Sequence, residues 1–303
     1  MRLHFSIQAD DIKKFSCNAN MIDRLCPLNS YVLIKQVPDQ SSKAGVNPDG
    51  TIDRAKAKRM LNPFDRYALQ AALQTKQYGA VVTAITMGPP PAIEILYEAI
   101  AHGVDRAILL TDRRLAASDT LATAYALYKT LLWASQGRSL DLVFCGLQTT
   151  DGDTAQVGPQ LAERLGIPQI TYCESFSLAG NTITAKRVIE GGVQILQTQL
   201  PALLTITNSA QRLAYKTLRG AQRVQQLQRD EQARSQVIHT VTLDDIGADP
   251  ERCGIKGSPT IVAATEKIGE IGGSCQMFQG RAVRLMVGEL LNQVPLANVL
   301  EAR

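Results

Sequence analysis

Histidine is scarce in this chain: His4, His102 and His239 are the three among 303 residues. The six cysteines (Cys17, Cys26, Cys145, Cys173, Cys253 and Cys275) are widely scattered, and no two stand as C-x-x-C. Structural zinc and iron–sulfur sites draw on close ligand pairs that preorganise the metal, so neither is supported and no metal site is expected. No apolar run approaches the roughly 18 residues of a membrane helix, so no membrane span is expected. The opening segment MRLHFSIQADDIKKF carries acids and has no unbroken apolar stretch, which speaks against a secretory signal. A cytoplasmic protein with reduced thiols is the expectation. G-x-G-x-x-G and G-x-x-x-x-G-K-[ST] are both missing, which removes the usual dinucleotide fingerprint and the P-loop. No Ser/His/Asp or Cys/His set stands out as a catalytic group.

What is present is the composition of an ordinary globular protein: 45% apolar, 20% charged and 5% aromatic residues. The net charge of +4 is small for the length, and basic residues alternate with acidic ones. A nucleic-acid surface is not implied; a basic protein surface is the better account.

Residues 1–29 have no strong pattern, although Phe5, Ile7, Ile12 and Phe15 could share one face of a short helix. They are set apart as an N-terminal extension. From Ser30 a regular rhythm begins. Tyr31 to Val37 reads as a buried strand bounded by Pro38. Asn62 then suits a helix N-cap and Pro63 the first helical position, with Asp65 placed to reach back in a capping box. Further strands are expected over Ala80 to Thr86, Arg106 to Leu110, Leu140 to Gly146 and Pro168 to Cys173. Helices are expected between them over Ala92 to His102, Ser118 to Trp133 and Ala155 to Leu165, with Gly103 and Gly166 as stops. This alternation predicts an α/β domain over 30–207, a Rossmann-like mostly parallel sheet with helices on both faces and right-handed connections.

After Glu174 the rhythm changes. Ser175 to Leu178, Thr182 to Glu190 and Val193 to Leu200 are β-like segments separated by Gly180-Asn181 and Gly191-Gly192, which suit hairpin turns. Pro201 to Thr207 returns to a buried apolar run. Residues 208–303 are polar and basic without a βαβ rhythm. They read as an extended C-terminal arm that packs on another surface, with a helix from Gly280 to Asn292.

The most informative stretch runs from Cys145 to Pro159, after a strand and into a helix. Its small residues let backbone approach a ligand, and a helix N-terminus offers unpaired N–H groups and a positive dipole end to a phosphate. Ligands of open parallel sheets bind at the carboxyl ends of strands, where this loop falls. The plainer alternative is an acidic turn in which Asp153 or Thr154 merely caps its own helix. Asn62 to Asp65 and Met87-Gly88-Pro89 open onto the same edge, so three loops converge on a cleft.

In order along the chain, Lys35 to Asp39, Asn62-Pro63-Phe64-Asp65, Met87-Gly88-Pro89, Gly103 to Ala107, Asp119 to Thr123 and Asp151 to Pro159 resemble electron-transfer flavoprotein beta subunits. Arg187 to Ile195 followed by Pro201 to Thr205 resembles that family's signature segment. The resemblance covers about residues 31 to 262. It implies a Rossmann-like domain, an arm embracing a larger alpha subunit that carries its own FAD, and a second nucleotide in this chain. Contacts to that nucleotide are implied at Leu33, Asn62, Pro63, Phe64, Asp65, Met87, Asp151, Gly152, Asp153, Thr154, Ala155, Gln156, Val157, Gly158, Pro159 and Ala162.

The nucleotide is AMP in the simple carriers and FAD in members that split electron pairs from NADH. Gly152 and Ala155, with Lys256 to Thr260, are similar to the anaerobe and nitrogen-fixation-type branch, which favours FAD over AMP. For such a member the implied sequence is hydride transfer from NADH to the flavin and then two one-electron transfers. One electron goes toward the alpha-subunit FAD, the other to a ferredoxin or flavodoxin. No side chain of this chain is needed as a general acid or base. Thr217, Leu218 and Arg219 take the place of the loop by which the family docks on flavin-dependent dehydrogenases such as acyl-CoA dehydrogenases. Without the family, Leu218 reads more readily as a satellite core residue than as a docking residue, and Arg212, Lys216, Arg219 and Arg223 as a solvated basic face.

Overall fold

The computed structural model describes residues 27–39 and 58–261. The N-terminal residues Phe5 to Phe15 and the helix expected from Gly280 to Asn292 lie outside them.

Eleven strands and six helices are present among the described residues. The chain runs β1 (Asn29–Leu33), β2 (Gln36–Pro38), β3 (Arg59–Leu61), α1 (Pro63–Gln74), β4 (Val81–Met87), α2 (Ile93–His102), β5 (Arg106–Leu110), α3 (Thr120–Ser135), β6 (Leu142–Gly146) and α4 (Val157–Leu165). It continues through β7 (Gln169–Ala179), β8 (Thr182–Ile189), β9 (Gly192–Gln199), β10 (Ala202–Ile206), α5 (Leu218–Arg229), α6 (Glu231–Val237) and β11 (Ile238–Val241). Nine strands form one sheet in the order β11-β5-β4-β1-β6-β10-β7-β8-β9. The seven from β11 to β7 are parallel, and β8 and β9 extend them as antiparallel hairpins. This is the Rossmann-like mostly parallel sheet with a hairpin region that the alternation predicts.

Why the strands are central is visible in their sequences. β1, NSYVL, and β10, ALLTI, are buried at every position, the continuous run of a strand covered on both faces. One core lies on the α1/α2 face, where Leu69, Leu96 and Ile100 meet Val32, Val82, Phe144 and Leu204. The other lies on the α3/α4 face, where Tyr125, Leu131, Leu161 and Ala162 meet Tyr31, Ile85, Val143 and Leu203. Phe144 has no exposed surface and its ring sits 5.4 Å from that of Phe176, joining the parallel sheet to the hairpin.

Three features depart most from expectation. The strand expected over Tyr31 to Val37 is two strands, because the chain leaves the sheet at Lys35, after Ile34 N has donated to Ile85 O at 2.9 Å, and β2 pairs antiparallel with β3 in a separate small sheet. The backbone of Lys35 is drawn off by α1: its N–H donates to Asp65 Oδ2 at 2.7 Å, and its carbonyl accepts from Asn62 N at 2.9 Å. Second, the strands expected at Pro168 to Cys173 and Ser175 to Leu178 are one continuous β7. A register shift between Cys173 and Ser175, with Tyr172 at φ 55°, lets β7 pair parallel with β10 and then antiparallel with β8. Third, the polar segment after Asn208 yields α5, α6 and β11, and β11 forms the parallel edge beside β5. α5 is held on α2 by Gly220, whose missing Cβ leaves room for Ala101 O, and by Arg223, which donates to Val104 O and Asp105 O.

Candidate nucleotide cleft at the switch point

From β1 the chain steps outward to β4 and β5, then returns through α3 to β6 on the other side of β1. The β1/β6 boundary is therefore the topological switch point, where the connections diverge and leave a crevice at the carboxyl ends. Two helices begin there, α1 and α4.

The start of α1 is filled by the protein's own groups. Asn62 is fully buried at the N-cap, but no side-chain cap bond is made. Its Nδ2 donates instead to Gln148 O at 2.8 Å, and its Oδ1 accepts from Thr150 N at 3.3 Å, which ties the β6–α4 loop to α1. Asp65 does not reach back to Asn62 N, whose partner is Lys35 O, so the expected capping box does not form. Its carboxyl, 5% exposed, takes the Lys35 N–H at 2.7 Å and packs against Gly146, where a Cβ would collide with Oδ1. Burial pushes it up to about 7, against the hydrogen bonds from Lys35, Asn62 and Gly146 that favour its charged form.

The start of α4 is different. The helix begins at Val157, two residues later than expected, because Asp153 and Ala155 occupy the left-handed region at φ 49° and 53°. Gln156 is the N-cap, and no side chain hydrogen-bonds the first turn. The plainer alternative, a cap by Asp153 or Thr154, is thereby overturned: Asp153 Oδ1 accepts from Gln148 Nε2 at 2.9 Å. The backbone donors at the head of α4 keep their capacity for an anion. Gly158 brings this helix close to β10, since a Cβ there would stand 2.6 Å from Thr205 Cγ2. At Gly152 an added Cβ would meet only Thr149 Oγ1, at 3.4 Å.

Charge in the cleft is balanced locally. Lys35 Nζ bridges Asp151 at 2.8 and 2.9 Å across the mouth, from the exit of β1 to the β6–α4 loop. Burial raises the Asp151 carboxyl, but the hydrogen bonds from Lys35 and Thr149 outweigh it and hold it below the usual range. Thr120, at the start of α3, donates to Gln156 Oε1 at 3.0 Å and accepts from Gln160 Nε2 at 3.2 Å. Asp119 caps α3 and also receives Thr260 N and Oγ1, while Ser258 Oγ accepts from Asp119 N. The Lys256 to Thr260 segment is in this way tied beside the same edge.

Among the residues that the sequence singles out, Leu33, Asn62 to Asp65 and Asp151 to Pro159 come together at the switch point. Met87 ends β4 on the same edge, one strand further out. Ala162 lies beyond the first turn of α4 with no exposed surface, packed in the α3/α4 core. Gly146, Gln148 and Thr150 fall within the Cys145 to Pro159 stretch that the sequence marks as most informative, but their roles in tying that loop to α1 are set by contacts with Asn62 and Asp65.

Leu218 is 77% exposed, so it is no satellite core residue, and Tyr215 beside it is 99% exposed. Thr217 caps α5 by accepting from Gly220 N at 3.0 Å. Because α5 starts against the C-terminal end of α2, this loop lies at the amino edge of the sheet, opposite the cleft. No described helix is long and apolar enough to cross a membrane, and the described residues contain no cluster of metal-ligating side chains.

A doubly wound sheet with a polar cleft at its switch point defines the general class, a Rossmann-like ligand-binding α/β protein. Comparison with known proteins narrows it. The electron transfer flavoprotein domain matches residues 49–245. Protein FixA of Bradyrhizobium diazoefficiens is 43% identical over 242 residues, covering 78% of this chain and 81% of that protein. The electron transfer flavoprotein subunit beta of Thermoanaerobacterium thermosaccharolyticum is 40% identical over 251 residues, covering 80% and 92%. The acryloyl-CoA reductase electron transfer subunit gamma of Anaerotignum propionicum is 39% identical over 236 residues, covering 76% and 85%. The chain belongs to the electron transfer flavoprotein beta-subunit family, and its role is electron transfer within a heterodimeric flavoprotein.

Proposed function

We propose that this subunit holds FAD in the β1/β6 cleft and works with a larger alpha subunit carrying its own FAD. The observation that carries this is the bare N-terminus of α4 beside a left-handed loop at the switch point. Val157 N and Gly158 N are the donors offered to the diphosphate, and Gly152, where a Cβ would meet only Thr149 Oγ1 at 3.4 Å, with small Ala155 beyond it, leaves room for a ligand longer than AMP. Leu33, Pro63, Phe64 and Met87 form the apolar wall, and Asp153, Thr154, Gln156 and Pro159 the polar rim. When bound, FAD supplies hydride and one-electron chemistry. The chain's own residues bind and orient it and need supply no acid or base.

Electrons arrive in this scheme from NADH or a flavin-dependent dehydrogenase, in the cytoplasm. The similarity to an acryloyl-CoA reductase subunit makes an acyl-CoA-type dehydrogenase the partner class of choice, docking on Thr217, Leu218 and Arg219. Ferredoxin or flavodoxin is the second acceptor if the protein bifurcates. The C-terminal arm packs on the alpha subunit. Because the docking loop and the cleft lie at opposite edges, a dehydrogenase on Leu218 leaves the mouth of the cleft free.

The test is co-purification with the alpha subunit, heat release and chromatographic counting of FAD and AMP. About two FAD per heterodimer with little AMP is expected. One FAD and one AMP would mean a simple carrier whose beta-subunit nucleotide is structural, and NADH oxidation would then be absent.

A further inference from the structure

We propose that Asp65 is a positioning residue: its buried carboxyl clamps the carboxyl ends of β1 and β6 to the first turn of α1 and so sets the spacing of the cleft. The proposal rests on the nucleotide reading of that cleft, and assigns Asp65 a task other than ligand contact.

Both carboxyl oxygens are already engaged inside the protein. Oδ2 accepts Lys35 N at 2.7 Å, on the far side of β1's last residues. Oδ1 packs closely against Gly146, the last residue of β6. A Cβ at Gly146 would collide with Oδ1 and with Asp65 N, so the contact demands glycine there. At 5% exposure, little of Asp65 remains for a ligand. The strands that Asp65 joins are the two that flank the switch point. Asn62, three residues earlier, adds the β6–α4 loop through Gln148 O and Thr150 N. Lys35 closes the ring by bridging to Asp151 in that loop. One helical turn therefore gathers every segment that forms the cleft near α4. A buried N–H left without its acceptor weakens the arrangement, and Asp65 is the acceptor for Lys35 N.

The clamp also titrates. Groups facing Asp65 are Lys35, whose ammonium is paired with Asp151, the Cys145 thiol, which burial pushes upward and keeps neutral, and the uncharged Asn62. A carboxyl raised by burial to about 7, from 3.8 when solvated, makes the closed cleft bind a proton more tightly than an open one does. Closure is therefore favoured at low pH and weakens as pH rises between those two values, levelling off above about 7.

The experiment measures binding of AMP and of FAD, separately, to the nucleotide-stripped full-length chain at pH 6 and pH 8. Asp65→Ala is expected to weaken binding of the nucleotide by about tenfold or more, as follows from the loss of one or more buried acceptors. Asp65→Asn keeps one acceptor and removes the titration. Its ratio to the wild-type dissociation constant should shift several-fold between the two pH values, while the ligand's own phosphate titration cancels. Gly146→Ala should reproduce the loss from the opposite side. Should Asp65→Ala fail to fold, the comparison of wild type with Asp65→Asn decides. Binding by Asp65→Ala within twofold of wild type, or parallel pH profiles for wild type and Asp65→Asn, would overturn the clamp while leaving the nucleotide site standing. A wild-type chain that binds neither AMP nor FAD would overturn the nucleotide reading and the clamp together.

Discussion

Two helices open onto the same crevice, and the chain treats their N-termini in opposite ways. α1 arrives with Asn62, Pro63 and Asp65, a sequence built for a cap, yet the side chains of Asn62 and Asp65 turn away to hold neighbouring loops. α4 arrives with Asp151, Asp153 and Thr154 just upstream, an equally good set of cap formers, and none of them caps it. The difference lies in the backbone. Residues in the left-handed region at Asp153 and Ala155 turn the loop so that its acids face Gln148 and Lys35, leaving the first N–H groups of α4 unclaimed. A helix start that can be capped and is not is one whose donors remain for a ligand. α1 is the structural member of the pair and α4 the receptive one.

That contrast can be broken at α4 first. Gly152→Arg places a long cationic side chain in the open mouth and is expected to abolish nucleotide content in the purified heterodimer, with the fold intact by circular dichroism. Unchanged nucleotide content would remove the ligand from α4 altogether. At α1 the expected effect falls on stability. Asn62→Ala removes the buried side chain that ties Gln148 O and Thr150 N to α1 through two part-buried hydrogen bonds, for a loss of about 1–2 kcal/mol by urea denaturation. A loss under about 0.5 kcal/mol would mean that water replaces the side chain. Gly158→Ala sharpens the contrast from the packing side. Its Cβ meets Thr205 Cγ2 at 2.6 Å, so the head of α4 must move off β10, at about 1–2 kcal/mol and with weaker nucleotide retention. The smallest effect belongs to the exposed bridge over the mouth. Lys35→Ala should change stability by at most about 1 kcal/mol, and a double-mutant cycle with Asp151→Ala should give a coupling energy that fades with added salt.

Much of the frame is legible in the order of residues alone. β5 occupies Arg106–Leu110 as read from its apolar run, and Gly103 and Gly166 stop α2 and α4 with φ of 114° and 64°. The hairpin turns fall at Gly180 and Gly191, both with positive φ. These features are local: a period, a breaker, a turn residue. The errors occur where a distant partner overrides local preference. β1 stops short because α1 takes the backbone of Lys35. β7 runs on through what reads as a break because a register shift at Glu174 reconciles two partners of opposite direction. β11 escapes notice because four residues, Ile238–Val241, with an exposed centre carry almost no periodic signal and are strands only by virtue of β5.

The candidate site divides along the same line. Residue type and order along the chain suffice to bring Asn62 to Asp65 and Asp151 to Pro159 to one edge, because alternating strands and helices put every strand-to-helix loop there. Which of those residues point inward and which stay available is set by contacts across long stretches of chain. Asp65 meets Lys35 from 30 positions away, and Asn62 meets Gln148 and Thr150 from 86 and 88. A side chain's preference for its own helix end is worth about 1 kcal/mol, no more than a buried hydrogen bond to a neighbouring loop, so local propensity cannot choose between them. Packing chooses, by placing one acceptor within reach and excluding water from the other, and that choice leaves α1 closed and α4 open.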